Sequence, residues 1–326
     1  MLLGGINLAR ALGLAGIPVI VAGPEPDDPA LASRYVIGRC ELPPLASREA
    51  VVERLLRAAG ELDPAMRTRM PLFYGNDDYL GIVQDFRSAL ATRYALLLND
   101  EPLARALLRE PLARSLADEL TVQEYIPGDD RSIWSFHGFA DERGKLIASF
   151  VGRKIRTYPA LTGDSSYLEL AHDEELATLG RTLVPRIGLK GVFKMDFKRH
   201  AASGRFYLLE VNARFNLWHY LGAKGGVNLA QVAYDYVTRG ARSAPRQART
   251  RYRWLSPRLD YLAYRSLAAR GELSAAGWLA SLVSSRKLYD LFAWTDPMPL
   301  AVVLWDELKH LSRLRRRVMR WLSTAS

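Results

Sequence analysis

The sequence predicts an α/β protein. It reads as a doubly wound parallel sheet in the first hundred residues, two antiparallel hairpins in the middle, and a mostly helical last quarter. Three observations carry this. Short apolar runs alternate with helical stretches from Met1 to about Asp100. Two strand–turn–strand patterns follow, one over 131–152 and one over 192–214. After Gly240 the composition shifts to Arg, Ala and Leu at helical spacing.

Taken in order, Leu2-Leu3 ends a first strand and Gly4-Gly5 makes a tight turn. A helix follows from Ile6 to Ala15, closed by Gly16, and Ile17–Ala22 is a buried strand leading to a proline-rich loop at 24–29. The Gly4-Gly5 pair lacks the G-x-G-x-x-G spacing of a dinucleotide fingerprint and reads as a plain strand-to-helix turn. Pro71–Gly75 is a further strand, ending in the polar loop Asn76-Asp-Asp78, with a helix to about Arg93. Leu103, Leu107, Leu108, Leu112 and Leu116 mark a helix between Asn99 and Leu120. Thr121–Ile126 is a short strand stopped by Pro127-Gly128. The first hairpin pairs 131–140 with 145–152. It is followed by the basic Arg153-Lys-Ile-Arg156 and a flexible-looking loop, Thr157–Ser166. A helix over 173–186 leads into the second hairpin.

That second hairpin is the most informative stretch. Phe193, Met195 and Phe197 share one face of a strand, and Lys194 and Asp196 share the other. A turn centred near Ser203 sets Asp196 opposite Glu210 and Lys194 opposite Asn212. Two facing carboxylates repel, and a cation between them removes the cost. Two carboxylates and an amide oxygen are hard ligands of the kind Mg2+ takes, its shell completed by phosphate and water. The apolar run Phe206–Leu209 suggests that Glu210 follows a buried strand, where a carboxylate needs a partner.

The 326 residues suffice for two or three domains. A content of 49% hydrophobic and 25% charged residues is that of a globular chain. With one cysteine, Cys40, no internal disulfide can form. No stretch reads as a leader, and no apolar run reaches the roughly 18–20 residues of a spanning helix. A cytoplasmic protein is the expectation. The net charge of +10 is concentrated near the end, in Arg313–Arg320. No zinc spacing, helix-turn-helix or aromatic RNA-binding signature focuses it, so no specific nucleic-acid partner is expected.

The order of these parts resembles the ATP-grasp superfamily, in particular its carboxylate–amine ligase branch. More distantly it resembles D-aspartate ligases, D-alanine–D-alanine ligases and biotin carboxylases. The likeness rests on Gln123-Glu-Tyr-Ile-Pro-Gly-Asp-Asp130 before a hairpin, then the acidic hairpin with Asn212 and Arg214. It runs from about Ile17 to Gly240 and is strongest over 121–220. It implies three parts: a Rossmann-like N-terminal domain over 1–98, an ATP-grasp domain over 99–240, and a helical, basic C-terminal extension over 241–326. Gln123, Glu124, Tyr125 and Ile126 would hold adenine, and Asp130 the ribose. Lys194 would belong to the nucleotide site. Asp196, Glu210 and Asn212 would hold Mg2+, with Mn2+ as a substitute. Arg214 would hold the acyl phosphate, and Arg153, Lys154 and Arg156 would face phosphates or an acceptor carboxylate. Residues 162–166 would form a closing loop. The implied activity is ATP- and Mg2+-dependent joining of a small-molecule carboxylate to an amine through an acyl phosphate.

Plainer readings stand beside these. Arg153, Lys154 and Arg156 also fit a solvated strand edge, and Arg214 fits a salt bridge to Glu210. His137 and His219 read as structural. The superfamily inserts a lid subdomain with a lysine-bearing strand before the hinge. Here Leu120 runs straight into Thr121, so that subdomain is expected to be missing from this sequence. A nucleotide-binding relative without ligase activity therefore remains an alternative. Another is a membrane-surface or nucleic-acid-binding protein using the basic tail. Leu311, Leu314, Val318, Trp321 and Leu322 make the last helix amphipathic, which suits either docking on the core or peripheral contact with an anionic membrane. The chain also leaves a homodimer open.

Overall fold

The computed structural model describes residues 1–65, 67–107, 124–160, 163–243 and 252–309. Strands and helices are numbered here in chain order. The first part is a four-stranded parallel sheet ordered β3-β2-β1-β5, built from β1 (Leu2–Leu3), β2 (Val19–Gly23), β3 (Val36–Glu41) and β5 (Phe73–Tyr74). Helices α1 (Ile6–Leu14), α2 (Arg48–Leu62) and α3 (Asp77–Asp85) cover it, with the short α4 (Arg87–Leu90) and α5 (Glu101–Leu107) beyond. A side ribbon pairs β4 (Met70–Pro71) with β6 (Tyr94–Ala95). The helix expected to close at Gly16 does so, with that glycine in the left-handed region at φ 72°.

The second part is a seven-stranded sheet ordered β11-β10-β7-β8-β9-β12-β13. Its strands are β7 (Ile133–Ala140), β8 (Leu146–Tyr158), β9 (Asp164–Ala171), β10 (Gly191–Arg199), β11 (Phe206–Asn212), β12 (Tyr252–Leu255) and β13 (Arg286–Tyr289). All neighbours are antiparallel except β12 and β13. Alternation divides the sheet into two faces. Phe193, Met195 and Phe197 join Trp134, Phe136 and Val151 in a dry core under α6 (Glu174–Ile187). Helix α6 is started by the Asp173 carboxylate, which accepts from the Leu176 amide at 2.9 Å, and ended by Gly188 at φ 81°. On the other face, α7 (Trp218–Lys224) and α8 (Leu229–Arg239) pack with α1 and the sheet in one core that joins the two parts of the molecule.

Several expectations change. Arg153–Arg156 do not follow the first hairpin but lie inside β8; Thr157 and Tyr158 end that strand, Asp164–Ser166 begin β9, and 161–162 lie outside the described residues. The structure adds β9, whose polar start, Asp164-Ser-Ser166, hides the strand pattern. Glu124–Ile126 are not a strand, and 121–123 lie outside the described residues. So do 108–120, where the long helix and the lid question fall, and the final amphipathic helix. The C-terminal region is mostly helical, with α9 (Pro257–Ala269), α10 (Ala275–Val283) and a helical stretch over 298–309. Yet β12 and β13 extend the sheet of β7–β11, so the expected boundary at 240/241 falls within one sheet. No helix among the described residues is long and apolar enough to cross a membrane.

Two buried ion pairs stitch this C-terminal region down. Arg10 of α1 is fully buried. Its Nε meets Asp296 Oδ2 at 2.9 Å, and its other nitrogens donate to the carbonyls of Tyr289, Asp290, Leu291 and Asp296. Asp296 also accepts from the Ser33 hydroxyl and the Arg34 amide, each at 2.9 Å. Arg156 of β8 grips Asp260 of α9 with two bonds of 2.7 and 2.9 Å, and the Trp278 indole donates to the same carboxylate at 2.8 Å. Removing one member of such a pair strands a buried charge. Asp296→Ala is expected to lower unfolding free energy by about 3–5 kcal/mol in urea denaturation. The pair replacement Arg10→Met with Asp296→Leu should recover most of that loss.

Candidate functional site

Between the two parts lies a cleft of about 850 Å³ whose walls include Asp77, Lys154, Lys194, Glu210, Asn212, Arg214 and Trp218. The sheet supplies its floor. Lys194 pairs with Asn212, and Asp196 with Glu210, across β10 and β11, as the hairpin reading expects. The register slips between Asp196 and Phe197, so Phe197 pairs with Leu208 and Leu209 is the extra residue. This bulge sits beside the carboxylates, where such features commonly re-aim side chains.

Asp196 is buried under the cleft, accepting from the Ser135 hydroxyl on β7 and from Lys194 Nζ at 2.6 Å. Burial alone would push its carboxyl upward. The charges of Lys194 and Lys154 and the hydrogen bonds from Lys194 and Ser135 outweigh this and hold it well below the usual carboxylate range. Lys194 Nζ also lies 3.8 Å from Glu210, so an ammonium supplies the cation that the carboxylate pair requires. Glu210 accepts from the Asn212 amide at 3.0 Å. It is not the end of a buried strand: among the described residues β11 is an edge strand with a neighbour on one side only, and Leu208 stays 41% exposed. Arg214 does not pair with Glu210. Its Nε and Nη2 hold Asp77 at 2.7 and 2.8 Å, and Nη2 donates to Asn212 Oδ1 at 3.2 Å. Lys154 has no carboxylate partner among the described residues.

The other expected residues lie elsewhere. Arg153 is one position from Lys154, and alternation turns it to the opposite face. There it pairs with Glu169 and lies 5.1 Å over the Trp134 ring, away from the cleft wall. Asp130 is buried, and its oxygens accept from the Thr157 amide at 2.7 Å and the Thr157 hydroxyl at 2.9 Å, which braces β8. Glu124 and Tyr125 are exposed and Ile126 is buried, none of them in the cleft wall; Lys198 lies 4.8 Å over the Tyr125 ring. Gln123 lies outside the described residues.

Sequence reasoning passed over Asp77, Trp218 and a buried polar group beneath them. Asp77 begins α3 at the end of β5, and a polar loop after a parallel strand is the general place for a ligand site. Trp218 lies against the sheet because Gly152 leaves room: a Cβ there would come within 2.2 Å of the indole. His137, the cross-strand neighbour of Lys194, stacks on Phe150 at 4.4 Å and has no partner for either ring nitrogen among the described residues. His219 Nδ1 accepts from the Asn216 backbone amide, while its Nε2 and the Asn216 Nδ2 find no partner among the described residues. Burial pushes His137 well below its ordinary value, helped by the charges of His219 and Lys194, and pushes His219 down to about 4. Both are neutral at pH 7.

Residues 117–257 match the family model described as ATP-grasp in the biosynthetic pathway with Ter operon. Over these residues the chain resembles an ATP-grasp domain. A D-aspartate ligase of Enterococcus faecium (strain Aus0004) is 24% identical over 119 residues, 36% of this chain and 28% of that one. A single-chain, multi-domain long-chain acyl-CoA carboxylase overlays at a TM-score of 0.50 with 17% identity, covering 74% of this chain and 25% of that chain. An L-amino acid ligase from Bacillus licheniformis overlays at 0.48 with 13% identity, covering 76% and 74%. The chain thus matches only about a quarter of the length of the first two. Asp196, Glu210 and Asn212 are hard oxygen donors on one face of one hairpin, with the Lys194 ammonium beside both carboxylates. Among the described residues no group of three or more His, Cys, Asp or Glu is placed to hold a metal ion by itself.

Two outcomes follow from these contacts. A carboxyl held low stabilises the fold above its unfolded value near 4, and this contribution is lost as pH falls through the folded value. Wild-type protein should therefore lose stability progressively below about pH 5. Lys194→Met should be less stable at pH 7 and lose less on acidification, as urea midpoints across pH 3–7 would show. His137→Phe, which removes two unpartnered buried nitrogens, should leave stability unchanged or raise it by up to about 2 kcal/mol in the same assay.

Proposed function

We propose that the protein is an ATP- and Mg2+-dependent ligase that joins a carboxylate to an amine through an acyl phosphate. The observation that carries this is the convergence of Lys154, Lys194, Glu210, Asn212 and Arg214 on one cleft, with Asp196 buried beneath Lys194, in a region that resembles an ATP-grasp domain. A carboxylate resists attack by an amine because hydroxide or oxide is a poor leaving group; phosphorylation replaces it with phosphate. Phosphoryl transfer asks a protein for positioning and charge neutralisation, and no side-chain nucleophile is needed. Asp196, Glu210 and Asn212 would hold Mg2+, which supplies charge neutralisation to the triphosphate when bound.

The chain's own groups divide the remaining work. Lys154, without a carboxylate of its own among the described residues, is the cation available to a phosphate. Lys194 keeps Asp196 ionised and shares its charge with the cleft. Arg214 offers two donors in a fixed fork that suits an acyl phosphate or a carboxylate, once Asp77 releases it. Asp77, freed in that exchange, is a carboxylate to which the amine can dock and lose its proton. The buried, neutral His137 and His219 carry no positive charge that would compete with the cations above them. The likeness to a D-aspartate ligase makes amino acids the first amines to try.

The test is a panel of carboxylic acids and amino acids incubated with the protein, ATP and Mg2+, read as ADP and phosphate release. A matching pair should release both above the rate with ATP alone, and omission of Mg2+ should abolish this. Asp196→Asn and Glu210→Gln should each lower kcat at least about 100-fold, the scale of losing one preorganised charge contact, with circular dichroism unchanged. Folded protein that binds ATP yet releases no phosphate across the panel would overturn the proposal.

A further inference from the structure

We infer that a second hollow, on the far side of α7, binds an aromatic phosphate monoester. It holds about 480 Å³ and lies against β13 and the loop after it. Helix α7 separates it from the cleft: Trp218 faces the cleft, while Tyr220 and Lys224 face the hollow. Three cations line it, Lys224, Arg286 and Lys287, and no aspartate or glutamate does. The carboxylates of the same loop are spent elsewhere. Asp290 accepts from the Ser256 hydroxyl at 2.6 Å and the Leu291 amide at 2.8 Å, and Asp296 is held by Arg10, Ser33 and Arg34.

Lys287 is turned away from Arg286 by alternation along β13: its Nζ is 2.8 Å from the Ser285 hydroxyl oxygen and 5.4 Å over the Tyr167 ring. Lys224 and Arg286 form no ion pair or side-chain hydrogen bond among the described residues. Two cations without a carboxylate at one concavity favour an anion, and the pair suits a phosphate dianion better than a single carboxylate. The second requirement is a ring. Trp294 borders the hollow with 90% of its surface exposed, packed edge-on to Phe292 at 5.0 Å and otherwise bare. An indole left in water beside two further aromatic side chains, Tyr289 and Phe292, is a ready stacking platform for a flat group. The inference stands on this concavity alone and does not depend on ligase activity in the cleft.

Phenyl phosphate is the probe, titrated by calorimetry into full-length protein without nucleotide, which is itself an aromatic phosphate and would compete. Saturable 1:1 binding is expected. The Lys224→Ala/Arg286→Ala double variant and Trp294→Ala should each weaken it at least tenfold. Inorganic phosphate should bind at least tenfold more weakly than phenyl phosphate, since it lacks the ring. Glu210→Gln, which alters only the cleft, should leave the affinity unchanged. All three altered positions lie at the surface of the hollow, and matching melting temperatures confirm that the variants fold. Absence of binding to wild type, or binding that survives both hollow variants, would overturn the inference. Loss of binding in Glu210→Gln would do so as well, by returning the probe to the cleft.

Discussion

The Lys194 ammonium, 2.6 Å from Asp196 and 3.8 Å from Glu210, is the contact on which the wet face of the central sheet depends. Asp196 lies on β10, the strand beside the edge strand β11, and is itself almost wholly buried. An isolated carboxylate there would take up a proton rather than bear the desolvation cost. Lys194 prevents this from two residues away on the same strand, where alternation guarantees the same face. The pair thereby keeps a negative charge under a cleft that Lys154 and Arg214 also line.

The two buried ion pairs act at a distance from this site but determine its shape. Arg156–Asp260 fixes α9 to β8 near the β8–β9 turn, and residues 158–159 and 163–165 of that turn border the cleft. Arg10–Asp296 ties the first helix of the chain to a loop nearly three hundred positions later. Such saturated pairs add little net stability over an apolar substitute, but they permit one arrangement and penalise every other. The first parallel sheet and the late strands β12 and β13 are therefore held in one register relative to the cleft between them.

How much of this was legible follows from the range of each interaction. The hairpin register, the apolar face of Phe193, Met195 and Phe197, and helix α6 are local consequences of alternation and capping, and each is readable along a few residues. The same local rule could have turned Arg153 away from Lys154, since adjacent strand residues oppose each other once β8 is known to continue through them. What stayed hidden is set by partners remote in sequence. Asp77 holds Arg214 across 137 positions, and Thr157 takes up Asp130. Strands β12 and β13, four residues each, are too short to show a period and exist because β9 offers them an edge. The exposure of β11 was equally unreadable, because an apolar run does not reveal whether its strand has one neighbour or two.

The Asp77–Arg214 pair gives the cleft an exchange character. An incoming anion does not meet a bare guanidinium; it takes the place of a carboxylate contributed by the first part of the molecule. Its affinity is then a difference between two ion pairs, and a lone carboxylate gains little by the swap. Cargo that pairs both groups, an anion for Arg214 together with a cationic amine for Asp77, leaves neither charge stranded. A mutual exclusion written into one salt bridge would thus favour joint occupancy over the arrival of either substrate alone.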